Sequence, residues 1–341
     1  MLYYVEEMNK VGGFLMKNKF IKMLICVSFL LTLFGCANGN KDEKIIIYST
    51  AEDFRNEYLQ KRLNEKFPDY DVTIQYVSTG NCAAKLKAEG KDIEADIIFE
   101  MEKTYADELK DNFYTLDNYD FSKYIDELVP NDKKYATSIR YSAAIILNEK
   151  VLKEKGVAIP ASYEDLLKPE YKGLISMPSP KASGTGYMIL KNIINIMGEE
   201  KGFEYFDELS KNILQYTSSG SRPVNALVQG EVGIGLGMTF QAVNEINKGS
   251  NLTIKFFDEG APWTTSTFAI VDGHQDKKGV QEVFKFFYDE LILEDKQKFL
   301  PESIYKNQDT KIENYPENIK YGDMSNNTPE ERTKLLGKWK Y

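Results

Sequence analysis

The stretch VTIQYVSTGNCAAKLKAEGKDIEADIIF (residues 72–99) decides the fold. Val72–Val77 alternates apolar and polar residues as a strand does, Ser78-Thr79-Gly80-Asn81 is a turn and helix-cap signal, and AAKLKAEG follows as a helix closed by Gly90. Asp96–Phe99 then opens a further strand that runs into a helix over 103–110. Upstream, Ile45-Ile46-Ile47-Tyr48 is a β-branched run ending at Ser49, and Phe54, Tyr58, Leu59 and Leu63 fall at helical spacing within 52–66. Strands alternating with helices imply βαβ units and a mostly parallel sheet.

A second series begins after Pro130. Tyr141–Leu147 is a long apolar segment, 149–155 and 163–168 are helical, and Leu174–Met177 is a short strand. The loop from Pro178 to Gly186 delivers a helix over 187–197, residues 201–213 form another, and Ser218–Pro223 opens one more. Val232–Met238 and 264–271 are strands, 279–292 is an amphipathic helix, and the tail wraps the surface before a short helix at 329–339. Two α/β series with a crossing at 141–147 and a return near 260–271 predict two lobes: 44–138 with 270–341, and 139–269. A ligand cleft is expected between them, outside the carboxyl ends of the strands.

The first residues are expected not to be part of that fold. Met23–Gly35 is thirteen residues without a charge, preceded by Lys17, Lys19 and Lys22. As a helix it spans about 20 Å, short of the roughly 30 Å needed to cross a bilayer. It has the form of a secretory signal, with Met16 the more usual start. Leu33-Phe34-Gly35-Cys36 resembles a bacterial lipobox, so Cys36 is the expected lipidation site and mature N-terminus, with 36–43 as a tether. Acyl chains on one cysteine hold a protein at a membrane because each buried methylene contributes about 0.8 kcal/mol. Removal of residues 1–35 leaves Cys82 without a disulfide partner, as a small packed residue near a helix start.

Composition excludes several functions. The 341 residues carry 43 Lys+Arg against 52 Asp+Glu, a net of -9, which is unsuited to binding nucleic acid through its phosphates. His274 is the only histidine, read as an exposed turn residue, so a histidine triad or a multi-histidine zinc site lacks raw material. No metal, cofactor or catalytic group is expected. Gly233–Gly237 lacks the spacing of a dinucleotide fingerprint, and no Walker or G-x-S-x-G motif occurs.

The chemistry concentrates in three loops, Ser78-Thr79-Gly80-Asn81, Ser183-Gly184-Thr185-Gly186-Tyr187 and Ser218-Ser219-Gly220-Ser221-Arg222. Each follows a strand and opens a helix, where free N–H groups and about half a positive charge favour an anion. Arg140 and Arg222 are the guanidinium candidates for a phosphate or carboxylate, Trp263 a candidate cover, and Glu100 and Glu259 candidates for a ligand amine.

Three segments carry a resemblance to a known family: STGNCAAKLKAEGKDIEADII, the run from SGTGYMIL to GEVGIGLG, and DEGAPWTTSTFAIVDG. Over about 44–341 the chain resembles the solute-binding lipoproteins of bacterial ABC transporters, in the ferric-iron, phosphonate and sugar-phosphate group. The resemblance implies an α/β, two-lobe type II periplasmic-binding-protein fold joined by hinge strands. It further implies a monomer at the outer face of the membrane that hands a small molecule to a permease and its ATPase. Its pocket loops fall on Ser49, Ser78–Asn81, Ser183–Tyr187 and Ser219–Arg222. Iron-binding members carry adjacent tyrosines after the strand that corresponds to Val232–Gly237; here Met238-Thr239-Phe240 stands there, with Thr239 the candidate contact. The expected ligand is therefore a small organic anion of phosphonate or sugar-phosphate type. Ferric iron and polyamines are the alternatives, and a hydrolase the remote one.

Overall fold

The computed structural model describes residues 44–341, so the signal segment, Cys36 and the tether lie outside the described residues. β1 (Lys44–Ser49) is built from β-branched residues that suit a pleated chain. Its alternation sends Ile45 and Ile47 to one apolar core and Ile46 and Tyr48 to another, so both faces of the sheet are covered. α1 (Asp53–Lys66) buries Leu59 and Leu63 on the first face, and α2 (Thr79–Glu89) buries Cys82 and Leu86 on the second. Between them β2 (Asp71–Tyr76) pairs parallel with β1, which in turn pairs parallel with β3 (Ile97–Glu102). α3 (Lys103–Leu109) follows directly.

β4 (Ala136–Leu147) serves both halves of the molecule. Ala136–Ser142 pairs antiparallel with β9 (Trp263–Ile270), whereas Ala143–Leu147 pairs antiparallel with β7 (Ile234–Met238). The sheet order is β2-β1-β3-β9-β4-β7-β5-β6, where β5 is Ile175–Pro178 and β6 is Ile213–Thr217, with β8 (Thr253–Lys255) beside β4. At the change of partner, the Ser142 N–H and hydroxyl both donate to the Glu302 carboxylate, at 3.1 and 2.9 Å. Tyr315 and Tyr321 donate to the same group, so one buried acid from the tail fixes the strand where it leaves one ladder for the other.

In the second half, α4 (Glu149–Glu154) follows β4, and α5 (Gly184–Met197) is buried over most of its length against Ile145, Leu147 and Leu236. α6 (Glu199–Leu209), α7 (Arg222–Gln229) and α8 (Thr239–Asn247) complete the helices, with α7 covering Ala144 and Ile146 on the opposite face. α9 (Val280–Phe286) passes through a π-helical turn, Phe287–Leu291, into α10 (Ile292–Phe299). α11 (Pro329–Lys338) starts on Thr328, whose hydroxyl accepts from the Glu331 N–H. The tail touches both halves: Trp339 packs edge-on against Phe206 at 5.1 Å, while Arg332 lies 3.6 Å from the Tyr105 ring centroid and pairs with Glu108.

Several expectations need correction. The helix after the second loop starts at Gly184 rather than Tyr187, because the Ser183 hydroxyl caps it by accepting from the Gly186 N–H. The helix expected over 201–213 stops at Leu209, and Ile213 already belongs to β6, the edge strand whose two-sided exposure hides its pattern. His274 is a packed turn residue and not an exposed one: its Nδ1 lies 2.8 Å from buried Asp96, and its Nε2 3.0 Å from the Lys91 carbonyl.

Candidate ligand cleft

The cleft is assembled where the strand ends of both halves meet. On the first side the chain leaves β1 through Thr50-Ala51-Glu52, all of which line the cavity. Ser49 itself is fully buried and does not line it; its hydroxyl donates to Asn56 and accepts from the Ala51 N–H, bracing that turn. Ser78 and Thr79 line it from the start of α2. β3 carries a bulge between Phe99 and Met101, opposite β9, and the extra residue is Glu100 with φ of +65°. Bulges re-aim side chains, and this one turns Glu100 into the cavity wall.

Ile139 and Tyr141 of β4 and Ser266 of β9 form the floor. The second side contributes Ala182–Thr185 at the start of α5 and Ser218–Ser221 ahead of α7, with Met238 behind. In this structure the walls stand close together and bound a cavity of about 30 Å³. A wider groove lined by Tyr76, Gln215, Asn225 and Arg222 continues outward from the shared residues Glu52, Ser218, Ser219 and Ser221.

The halves touch directly at this level. The Gly80 N–H donates to the Ala182 carbonyl at 3.2 Å, and a Cβ on Gly80 would stand 2.3 Å from the Lys181 carbonyl oxygen. Gly220 packs on the neighbouring loop as closely, since a Cβ there would meet the Thr185 hydroxyl at 2.5 Å. At Gly80 the neighbour is backbone, which requires glycine, whereas at Gly220 the neighbours are the Thr185 and Met238 side chains.

All three loops predicted from the sequence reach the cavity, but not every predicted residue does. Gly80 mediates the contact between halves, Asn81 is exposed on α2, and Gly186 packs under the loop against the Pro178 and Ser179 carbonyls. Tyr187 is buried, its hydroxyl donating to Asn327. Arg222 stands exposed at the outer groove. Arg140 and Trp263 are corrections. Side chains alternate along β4, so Ile139 and Tyr141 face the cavity and Arg140 faces away, 4.4 Å from the Trp263 ring centroid and 4.3 Å from that of Tyr321. Trp263 donates its indole N–H to the Gly322 carbonyl and covers the arginine instead of a ligand. Thr239 pairs with Ser142 at 2.9 Å in the Glu302 network, and Glu259 sits in the turn before β9, its charge acting on Tyr163 and Tyr205. Of the two acids considered for an amine, only Glu100 lines the cavity.

Sequence reasoning missed Glu52, Tyr76 and Tyr141 as cavity residues, along with the charge that organises the first side. Arg55 is fully buried and meets three carboxylates: Asp295, Glu52 at 3.2 Å and Glu100 at 3.1 Å. Burial pushes the Glu52 carboxyl up to about 7 against the opposing pull of Arg55, and it raises Glu100 in the same way. Burial likewise raises the Tyr141 phenol, with Glu102, Glu52 and Glu100 adding to it.

A two-lobed α/β fold with a polar cavity at the strand ends between its halves is the architecture of a ligand-capturing protein, and comparison with known proteins agrees. Residues 48–290 match the model of the bacterial extracellular solute-binding protein family, and the chain belongs to that family. It is a solute-binding protein of the ABC-transporter type. It is 28% identical over 269 residues to an uncharacterized protein of Haemophilus influenzae, covering 75% of this chain and 76% of that one. It is 22% identical over 236 residues to a candidate 2-aminoethylphosphonate-binding periplasmic protein of Salmonella typhimurium, covering 66% and 67%. Among solved structures, the fold is similar to that of the periplasmic binding protein AfuA from Actinobacillus pleuropneumoniae, bound to exogenous fructose-6-phosphate. That likeness has a TM-score of 0.77 at 23% identity and covers 87% of this chain and 97% of that one. No helix among the described residues is long and apolar enough to cross a membrane.

Proposed function

We propose that the chain captures a small organophosphorus anion, of phosphonate or sugar-phosphate type, and delivers it to a membrane permease driven by an ATPase. The observation that carries this reading is the convergence of three hydroxyl-rich helix starts, at Thr79, Gly184 and Arg222, on one cavity from both halves. Their N–H groups and the Ser78, Thr79, Ser183, Thr185, Ser219 and Ser221 hydroxyls are donors suited to phosphoryl oxygens. A fructose-6-phosphate-bound neighbour and a relative named for an aminophosphonate support the same class. Ferric iron is the weaker alternative, because position 239 carries a threonine engaged by Ser142 and Phe240 is buried beside it. A polyamine would use the Glu52 and Glu100 end alone.

In this reading lobe 1 comprises 44–138 with 270–341 and lobe 2 comprises 139–269, with β4 and β9 as the hinge. The closed state is favoured by ligand contacts that only both lobes together supply. Lipidation of Cys36 would hold the receptor, as a monomer, at the outer face of the membrane. Calorimetry against a panel of phosphonates, sugar phosphates, polyamines and ferric citrate tests the ligand class. Binding of a phosphonate or sugar phosphate is expected, and silence from every phospho-compound sinks the proposal. Mass spectrometry of the membrane-extracted protein tests the anchor, with an acylated Cys36 at the N-terminus expected and an unmodified or retained leader refuting it.

A further inference from the structure

The cavity has two chemically different ends. Neutral donors from the helix starts make up one; the other is acidic, and its charges do not balance. Arg55 spends its Nε and one terminal nitrogen on both oxygens of Asp295, which pairs one charge with one charge. Lys296, also buried, donates to the Glu302 carbonyl, and its charge acts on the Glu302, Asp295 and Glu100 carboxylates together. Glu52 and Glu100 remain. Each gives one oxygen to Arg55 and neither has a cation of its own, although they are 8% and 4% exposed. Two carboxylates buried without matching positive charge are costly, and an ordinary structural ion pair has no need of them. Glu100 is also held in a left-handed backbone conformation by the β3 bulge, a strain that puts this acid and not its neighbours in the wall.

We infer that Glu52 and Glu100 form the seat of a cationic amine, so that the captured solute is a zwitterion with a phospho-group at one end and an ammonium at the other. The inference rests on the reading of the helix starts as a phospho-anion site and adds the second half of the ligand. An ammonium supplies the positive charge missing from the acidic end, and the rings of Tyr76 and Tyr141, which line the same cavity, offer it aromatic walls. Raised proton affinity at both acids, caused by burial, agrees with this: in the empty cleft protons fill the role that the amine takes when bound. The groups facing the two acids are Arg55 from α1, Asp295 and Lys296 from α10, Tyr76 from β2 and Tyr141 from β4.

The test compares 2-aminoethylphosphonate with propylphosphonate, which replaces the ammonium by a methyl group of similar size, using calorimetry on the soluble chain. At least tenfold tighter binding of the amine compound is expected. Measured at pH 7 in buffers of different ionisation enthalpy, it should also release more protons than propylphosphonate, as the acids give theirs up to the ammonium. In Glu52→Gln, and separately in Glu100→Gln, the preference should fall to within about threefold; because position 100 is strained, the Glu52 variant decides if the other fails to fold. Equal affinity of the two phosphonates for the unaltered protein overturns the amine seat while leaving the phospho-anion reading intact. Silence toward both overturns both. Binding of putrescine but of neither phosphonate keeps the acidic seat, refutes the zwitterion and refutes the phospho-anion site.

Discussion

Glu52→Gln should make the unliganded protein more stable above neutral pH and leave it nearly unchanged in acid. In the native chain the carboxyl binds its proton more tightly than in the unfolded chain, with its titration moved from the ordinary 4.5 to about 7 by burial. The folded state therefore holds a proton that the unfolded state has already lost. The stability this group contributes is fully present below about pH 4.5 and is lost as pH rises through about 7. At ~1.4 kcal/mol per pH unit, the interval from 4.5 to about 7 corresponds to roughly 3 kcal/mol. The pull of Arg55 at 3.2 Å is already contained in that figure, because it opposes the rise. Glutamine keeps the shape and cannot ionise. Urea unfolding of both proteins at pH 4.5 and pH 8 should show the variant gaining on the parent by on the order of 3 kcal/mol between the two. A difference that stays flat, or a variant that loses ground as pH rises, would mean that the ion pair with Arg55 outweighs the cost of burial, and the charge accounting at the acidic end would fail.

Three further outcomes are expected. Gly80→Val places a side chain where a Cβ would already stand 2.3 Å from the Lys181 carbonyl, so ligand affinity should drop at least tenfold and small-angle scattering should show no compaction on adding ligand; unchanged affinity refutes the contact as part of closure. Arg140→Ala removes two ring contacts worth about 0.5–1 kcal/mol each and should lower stability by about 1–2 kcal/mol, with affinity kept within twofold, since the arginine faces away from the cavity. A large loss of affinity would restore Arg140 as a ligand contact. Trp339→Ala should cost about 3–5 kcal/mol in chemical denaturation, because the ring is buried against Phe206 and Tyr216; a loss under 1 kcal/mol would show the tail to be peripheral.

The parts of the cleft legible in the sequence were those written in local chemistry. Serine, threonine and glycine at a strand-to-helix junction have a backbone reason to be there, and Ser78–Gly80, Ser183–Thr185 and Ser218–Ser221 all reach the cleft or its contact. Period-two alternation was also available: it puts Arg140 on the face opposite Ile139 and Tyr141, and applied to the crossing strand it would have withdrawn the arginine. Glu52 was not legible, because an acid ahead of a helix is ordinary dipole chemistry and Arg55, which it pairs with, is held by Asp295, 240 residues further on. Glu100 depended on a bulge whose only trace is a register shift against β9. The tail escaped local patterns for the same reason: Glu302 and Tyr321 matter through Ser142, far upstream.

Cys82 carries a practical consequence. The thiol is fully buried on α2 and burial pushes it up to about 12, so at neutral pH it offers almost no thiolate to an electrophile. A soluble form beginning at Lys44 keeps no other cysteine. A single cysteine introduced at the exposed Val228, on α7 behind the outer groove, would then accept a fluorescent dye without competition. The same chain becomes an optical reporter for its own solute, in which the colour signal follows closure and the identity of the solute can be screened directly from complex mixtures.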